Sequence, residues 1–392
     1  MQLVEDVVIV GAGISGLTTS LGLHRLGIRS LVLESFDRLR ITGFAFTTWT
    51  NAWRALDAIG IGDYLRHQHE TLLGIDVSSR ISGLQTFEMS FKAKGKYGDH
   101  EVRCVKRKLL LEALASELPS GTIRFSSKVV SIEESGYFKV VHLADGTILK
   151  AKVLVGCDGV NSVVAKWLGF KPPVFTGRSA IRGRANFKSS HGFDPIFMQY
   201  FGNGVRSGAI PCDDKYVYWF LTWSPSSQEK DLQENPAQLK QYMLTKIGKV
   251  PDEVRAVMEN TPLDAFISSP LRYRHPWELL WGNISKGGVC VAGDALHPMT
   301  PDIGQGGCAA LEDDEGEYGK EEYKRIEMGL NKYASERIWR SFDLISTSYV
   351  VGFIQETDGK IMTFLRDKFL SPFLARLLLK KADYDCGKLR SS

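Results

Sequence analysis

The sequence predicts an α/β fold: a doubly wound, three-layer, Rossmann-like domain with an inserted antiparallel β-sheet domain and a C-terminal helical segment. Three observations predict it. An apolar run, Val7-Val8-Ile9-Val10, meets the turn Gly11-Ala12-Gly13-Ile14-Ser15-Gly16, and Leu17 to Leu26 then repeats apolar residues at helical spacing. Two later apolar runs end in similar turns, Val153-Leu154-Val155 at Gly156-Cys157-Asp158-Gly159 and Val289-Cys290-Val291-Ala292 at Gly293-Asp294. Between them, residues 170–285 lose that spacing and read as strands.

A strand that feeds G-x-G-x-x-G into a helix is a dinucleotide-binding fingerprint. Gly11 allows the tight turn, Gly13 lets a pyrophosphate approach the backbone, and Gly16 lets helix and strand pack closely. The helix N-terminus offers N–H groups and the positive end of its dipole to phosphate. Glycines also punctuate ordinary loops, so context decides. A second strand, Ser30-Leu31-Val32-Leu33, ends in Glu34, an acid placed to accept hydrogen bonds from ribose hydroxyls and to disfavour a 2′-phosphate in this site.

At 392 residues, with 43% hydrophobic and 24% charged, the chain is long enough for more than one domain. A net charge of +4 and the lack of a basic stripe interleaved with aromatics exclude a nucleic-acid partner. Cys104, Cys157, Cys212, Cys290, Cys308 and Cys386 form no C-x-x-C pair and no metal-ligand spacing, so reduced, mostly buried thiols and no metal are expected. The first strand begins almost at Met1, no apolar stretch is long enough to span a bilayer, and the expected location is intracellular.

After Glu34, Arg40 either holds a phosphate or is solvated. Trp53 to Ile59 reads as a helix ended by Gly60 and Gly62. Residues 75–91 read as strands with turns at Ser78-Ser79 and Ser82-Gly83, and Lys92 to His100 as a loop. Arg103 to Arg107 leads into the helix Leu109–Leu114; two arginines at a helix start either bind phosphate or are solvated. Ile123–Phe125, Lys128–Glu133, Phe138–Leu143 and Ile148–Leu154 read as short strands, and Val163 to Leu168 as a helix. In a doubly wound sheet ligands sit at the carboxyl ends of strands, so the Asp158-Gly159 turn belongs beside the first.

In the inserted region, Val205–Pro211 and Tyr216–Trp223 read as a hairpin whose second strand is unusually aromatic, fit either to wall a pocket or to fill a core. Pro236–Val250 and Pro251–Met258 read as helices. After Gly293-Asp294, the run Pro301-Asp302-Ile303-Gly304-Gln305-Gly306-Gly307 opens a helix from Ala309 to Glu312, and its backbone can face a pyrophosphate or a flavin carbonyl. His297, beside Pro298, reads as a structural hydrogen-bonder before an acid–base catalyst. Asp313 to Arg325 reads as a solvated charge run, and Ile326–Ile345 as a long helix. Phe364–Lys381 reads as a basic amphipathic helix, broken near Pro372, that caps the domain in preference to touching a membrane.

Gly11-x-Gly13-x-x-Gly16 with Glu34, then Asp158-Gly159, then Gly293-Asp294 with Pro301-x-x-Gly304-Gln305-Gly306 occur in that order. Over nearly the whole chain the sequence resembles the FAD-dependent monooxygenases of the para-hydroxybenzoate hydroxylase type. It is most similar in look to the plant members related to zeaxanthin epoxidase and salicylate hydroxylase. The resemblance implies that Gly11, Gly13, Gly16 and Glu34 bind the ADP half of FAD, and that Arg107 and Arg40 contact FAD, Arg107 at its phosphates. It implies that Asp158 and Gly159 serve FAD and a passing NAD(P)H, that Gly293 and Asp294 hold the ribitol side, and that Pro301, Gly304, Gln305 and Gly306 lie near the isoalloxazine. The implied boundaries are residues 1–75, 101–169 and 286–325 for the FAD-binding domain, 76–100 and 170–285 for the substrate domain, and 326–392 for C-terminal helices.

The chain departs from that pattern at three places. Ala165 and Cys308 stand where many members carry arginine and asparagine, and the long apolar helix expected after Ala309 gives way to Asp314-Glu315-Gly316-Glu317, as if a stretch were missing. The implied activity is NAD(P)H- and O2-dependent hydroxylation or epoxidation of a small organic substrate through a peroxyflavin. No side chain is singled out as catalytic, because the cofactor carries the chemistry. Two other readings share these residues: another FAD oxidase or reductase, and a truncated, inactive relative acting as a binding module.

Overall fold

The computed structural model describes residues 4–41, 43–226, 235–313, 322–356, 371–387 and 389. β1 (Val4–Val10) passes through the glycine turn into α1 (Ile14–Arg25), which closes on Gly27 at φ +77°, the left-handed position that favours glycine. β2 (Ser30–Leu33), β3 (Ala45–Thr48), α2 (Thr50–Ala58) and α3 (Gly62–Gln68) follow. Gly60 ends α2 at φ +82°, but Gly62 opens a helix instead of closing one. Its missing side chain leaves room for the Asp57 carboxylate, 2.0 Å from where a Cβ would stand.

β4 (Gly74–Ser79) and β5 (Gln85–Ser90) form a hairpin. Ser78 and Ser79, expected in a turn, lie inside β4; the chain reverses after it, where the Gly83 N–H bonds the Ser79 carbonyl. The expected loop 92–100 contains a small ribbon, β6 (Lys94–Gly95) with β7 (Gly98–Asp99). β8 (Arg103–Lys106) runs straight into α4 (Arg107–Ser116). β9 (Ile123–Arg124), β10 (Val129–Ser135), β11 (Phe138–Leu143) and β12 (Ile148–Gly156) come next, and α5 (Val163–Trp167) begins under a Ser162 cap.

The inserted region holds β13 (Val174–Asn186), β14 (Ile196–Gly202), β15 (Val205–Pro211) and β16 (Tyr216–Trp223). α6 (Pro236–Lys246), α7 (Asp252–Glu259) and β17 (Phe266–Tyr273) complete it. α6 starts under an Asn235 cap with Pro236 in its first turn, a position where proline's missing N–H costs nothing. α8 (Glu278–Trp281), β18 (Ser285–Lys286), β19 (Val289–Val291), α9 (Gly306–Glu312), α10 (Glu322–Glu356) and α11 (Ser371–Ala382) complete the chain. Residues 357–370 lie outside the described residues, and with them the start of the expected helix 364–381. Pro372 stands in the first turn of α11 and does not break it. Leu378, Leu379 and Ala382 of α11 are buried in the core, and no described helix is long and apolar enough to cross a membrane.

The main sheet has the order β10-β11-β12-β1-β2-β9. β1 lies between parallel neighbours, with Val8 opposite Leu154 of β12 and Leu31 of β2, so Val7–Val10 is buried on both faces. β12 pairs antiparallel with β11 along its first half and parallel with β19 at its end. This register brings the carboxyl ends of β1, β12 and β19, and thus all three glycine turns, to one edge.

The second sheet has the order β17-β13-β16-β15-β14-β4-β5. It is antiparallel except at β14 and β4, which run parallel, with Phe197 opposite Ile75. The expected purely antiparallel sheet is corrected there, because β4 joins from an earlier part of the chain and not through a hairpin. Strand alternation sorts β16. Tyr216, Tyr218 and Phe220 pack with the main domain, while Val217, Trp219, Leu221 and Trp223 form a separate core with Leu239 and Met243 of α6 and Val257 of α7.

Candidate active site

The three turns touch. Gly11 has φ +102°, and a Cβ there would stand 2.5 Å from the Cys157 carbonyl oxygen. A Cβ on Gly16 would stand 1.9 Å from the Gly11 oxygen, and one on Gly293 would stand 2.7 Å from Cβ of Ser15. Nothing lies within 4 Å of the equivalent position on Gly13, which caps α1 without a side-chain hydrogen bond and with no acid in the first turn. The start of α1 therefore faces open space with its N–H groups available to an anion.

Glu34 closes this turn. Its Oε2 accepts the Ala12 N–H at 2.9 Å, and its Oε1 accepts Ser35 Oγ at 3.1 Å and the Phe36 N–H at 3.0 Å. A carboxylate has roughly four acceptor positions, so room remains for a ligand hydroxyl. Asp158 is placed beside Gly11, but Ser162 Oγ and the Val163 N–H, at 2.5 and 2.6 Å, take both its oxygens. The carboxylate caps the start of α5, and burial raises its pKa. Gly159, at φ +76°, continues the turn.

A positive field lies in front of these turns. Burial, and then the like charges of Arg40 and Arg182, lower the Arg107 pKa, partly offset by Asp294, so Arg107 lies within the field of all three. The Arg107 Nε is buried with no hydrogen-bond partner among the described residues. Asp294 is exposed, and Arg40 lies over the Phe36 ring at 5.4 Å. Opposite, Pro301 opens a single 3₁₀ turn that ends at Gly304, φ +63°, where a Cβ would meet the Trp49 indole nitrogen at 2.9 Å. The buried Gln305 accepts Asn51 Nδ2 at 2.8 Å, its own Nε2 has no partner among the described residues, and Gly306 begins α9. Uncapped helix, open Gly13 and unsatisfied guanidinium and amide donors fit a phosphate-bearing dinucleotide.

The sequence model of the FAD binding domain matches residues 5–315. Monooxygenase 2 of Arabidopsis thaliana is 58% identical over 403 residues, covering 98% of both chains. Monooxygenase 1 of the same plant is 36% identical, covering 98% of this chain and 99% of its own. The chain belongs to the FAD binding domain family and is an FAD-dependent monooxygenase. The crystal structure of Klebsiella pneumoniae HpxO complexed with FAD and uric acid superposes with a TM-score of 0.82 at 21% identity, covering 97% of this chain and 96% of that one. The two share this fold.

Several site residues of the monooxygenase carry no local sequence signal. Asp302, fully buried, takes Arg178 Nη1 and Nη2 at 2.9 Å each and Arg206 Nη1 at 3.0 Å, which clamps the Pro301–Gly304 turn to β13 and β15. Asp313, expected in a solvated run, is buried too. It accepts the Gly293 N–H at 2.7 Å, meets His297 Nε2 at 2.9 Å and pairs with Arg337 Nε at 2.8 Å. His297 is thus a structural link between a glycine turn and α9. Glu312 pairs with Arg337 and Arg340 of α10 and accepts Asn51 Nδ2. α9 therefore ends in an ionic lock where a long apolar helix was expected; residues 314–321 lie outside the described residues. Ala165 is simply core, and the Cys308 thiol accepts the Trp49 backbone N–H at 3.5 Å.

These carboxylates set an acid limit. Burial alone would raise their pKa values, but Arg178 and Arg206 hold Asp302 low, Arg340 and Arg337 hold Glu312 low, and Arg337 with His297 holds Asp313 at about 2. Each binds its proton less readily folded than unfolded, so its contribution is complete above about pH 5 and is lost as pH falls through 4 towards 2. Thermal midpoints measured from pH 7 to 2 are expected to be insensitive to these three groups above pH 5 and to fall steeply below pH 4.

Proposed function

We propose that the monooxygenase hydroxylates or epoxidises a small aromatic anion, with NAD(P)H and O2 as co-substrates, in the space between the second sheet and the Gly304–Gly306 turn. The observation that carries this reading is Arg182. Strand register puts it on the same face as Tyr218 and Phe220, directed at the main domain. Its backbone is paired in the sheet, whereas its guanidinium lies within the field of Arg107 and Tyr218 and makes no side-chain hydrogen bond or ion pair among the described residues. Arg178 and Arg206, nearby on the same sheet, already hold Asp302. Around Arg107, the like charges of Arg40 and Arg182 are set against one carboxylate, Asp294, which leaves an excess of positive charge. Arg107 and Arg40 would hold the FAD phosphates with the start of α1, and Arg182 would take the substrate's anionic group above an aromatic floor.

When bound, FAD supplies the electrons taken from NAD(P)H and activates O2 for transfer of one oxygen atom. The chain's own work is placement: Glu34 and the glycine turns fix the ADP half, Asp302 holds the loop that faces the flavin, and the aromatic face excludes water. Alignment with Monooxygenase 2 spans 403 residues against 392 here, so that relative carries residues without a counterpart in this chain. Purified protein is desalted and its visible spectrum recorded before and after anaerobic NADPH, with and without benzoate as probe. A flavin spectrum that NADPH bleaches, and that benzoate but not neutral benzamide perturbs, is expected; Arg182→Gln should lose the benzoate response at least tenfold and keep the flavin. A protein that remains colourless after incubation with FAD overturns the enzyme reading, and an unchanged benzoate response in Arg182→Gln overturns the anionic substrate.

A further inference from the structure

A second chemical feature lies where β8 meets the second sheet. Cys104 belongs to β8, which pairs with β3 apart from the two large sheets, and Cys212 directly follows β15 of the second sheet. Their sulfurs lie 3.0 Å apart, and both side chains are fully buried. A disulfide bond measures about 2.05 Å, so about 1 Å of approach separates contact from bond. The backbone on both sides is held. Lys106, two residues after Cys104, pairs with Asp213, next to Cys212. His69 Nε2 accepts the Lys106 N–H at 3.0 Å, and the Cys212 N–H bonds the Tyr216 carbonyl at 2.8 Å. The other buried thiols near the site have different neighbours: Cys157 meets Ser15 Oγ, and Cys308 meets the Trp49 backbone N–H.

We propose that Cys104 and Cys212 form a peroxide-sensitive pair whose oxidation to a disulfide ties the second sheet to β8 and the start of α4. The oxidant is hydrogen peroxide. One sulfur attacks a peroxide oxygen and breaks the O–O bond, which gives a sulfenic acid and one water. The second sulfur then displaces the sulfenic oxygen as another water, so two thiols and one peroxide yield one disulfide and two waters. A monooxygenase that reduces O2 without delivering oxygen to substrate releases this oxidant itself: NAD(P)H, a proton and O2 become NAD(P)⁺ and hydrogen peroxide. Burial limits the reaction to an oxidant close to water in size and, by keeping Cys104 protonated, makes it slow. The site is independent of the substrate assigned above.

The test treats desalted protein with excess hydrogen peroxide for several hours. Thiols are then counted in denaturant, and unreduced tryptic peptides are mapped by mass. Titratable thiols are expected to fall from six to four. One cross-linked species should join the Cys104 and Cys212 peptides, two hydrogens lighter than their sum and reversed by dithiothreitol. The thermal midpoint should rise by roughly 5 °C, because the link closes a loop of more than a hundred residues. Cys104→Ala and Cys212→Ala should each abolish the link. Six remaining thiols, a bond between other cysteines, or oxidation of these two to sulfinic acids overturns the proposal. Mass and thiol count register none of the flavin or substrate chemistry, so failure here is separable from failure of the proposed activity.

Discussion

Replacing Gly16 with alanine is expected to leave the monooxygenase without bound flavin. The added Cβ would stand 1.9 Å from the Gly11 carbonyl oxygen, and the neighbour that must yield is backbone. Relief requires α1 to retreat from the turn by more than 1 Å, judged by ordinary contacts of about 3.4 Å. That motion also strains the Gly293 turn, which rests on Ser15 one residue earlier. The first N–H groups of α1 leave the position where a pyrophosphate would be held, and misplacement of about 1 Å at such a site lowers function by roughly a hundredfold. Flavin retention after desalting, and titration of apoprotein with FAD, measure the loss. Gly13→Ala is the contrast, since its Cβ meets nothing within 4 Å of the protein and only the ligand would feel it. A Gly16→Ala protein that keeps its flavin would show that the phosphates lie elsewhere.

Asp302→Ala is expected to destabilise the fold by about 3–5 kcal/mol, the cost of removing one partner of a buried ion pair. The carboxylate binds Arg178 through two hydrogen bonds and Arg206 through a third. Gly352 of α10 roofs the cluster: a Cβ there would stand 2.3 Å from both Arg178 Nη1 and Asp302 Oδ2, so water has no easy path to replace the lost charge. For a chain of this size the change corresponds to a midpoint lower by roughly 5 °C. Asp302→Asn keeps the shape without the charge and should fall between alanine and the parent. Calorimetry of the three proteins checks the order. A Gly304 turn no longer clamped to β13 and β15 should also slow flavin-dependent turnover beyond what stability explains. Equal melting of all three would mean that the arginines find other anions.

Elements whose signal is local were legible in the sequence. A strand, a glycine turn and a helix occupy neighbouring residues, so Gly11–Gly16, Asp158–Gly159 and Gly293–Asp294 could be read directly, as could the hairpin of Val205–Pro211 with Tyr216–Trp223. Short-range ambiguity blurred the edges: a glycine can end a helix, as Gly60 does, or open one where a neighbour's side chain needs the room, as Gly62 does. The sequence by itself also showed that β16 is rich in aromatics sorted onto two faces, since every second residue of a strand shares a face, but left open whether they wall a pocket or fill a core. Only the tertiary structure decided which set faces the main domain.

The same holds for charge. Asp302 meets arginines 96 and 124 residues away, Asp313 meets His297 and Arg337, and Cys104 meets Cys212 across 108 residues. Nothing in a local window separates such a carboxylate from a solvated one, because the partner that offsets its desolvation is supplied by another element. Sequence thus determined the backbone geometry of the glycine turns, which neighbouring residues set. The fold decided which charges are buried together, because electrostatic energy depends on distance in space and not along the chain.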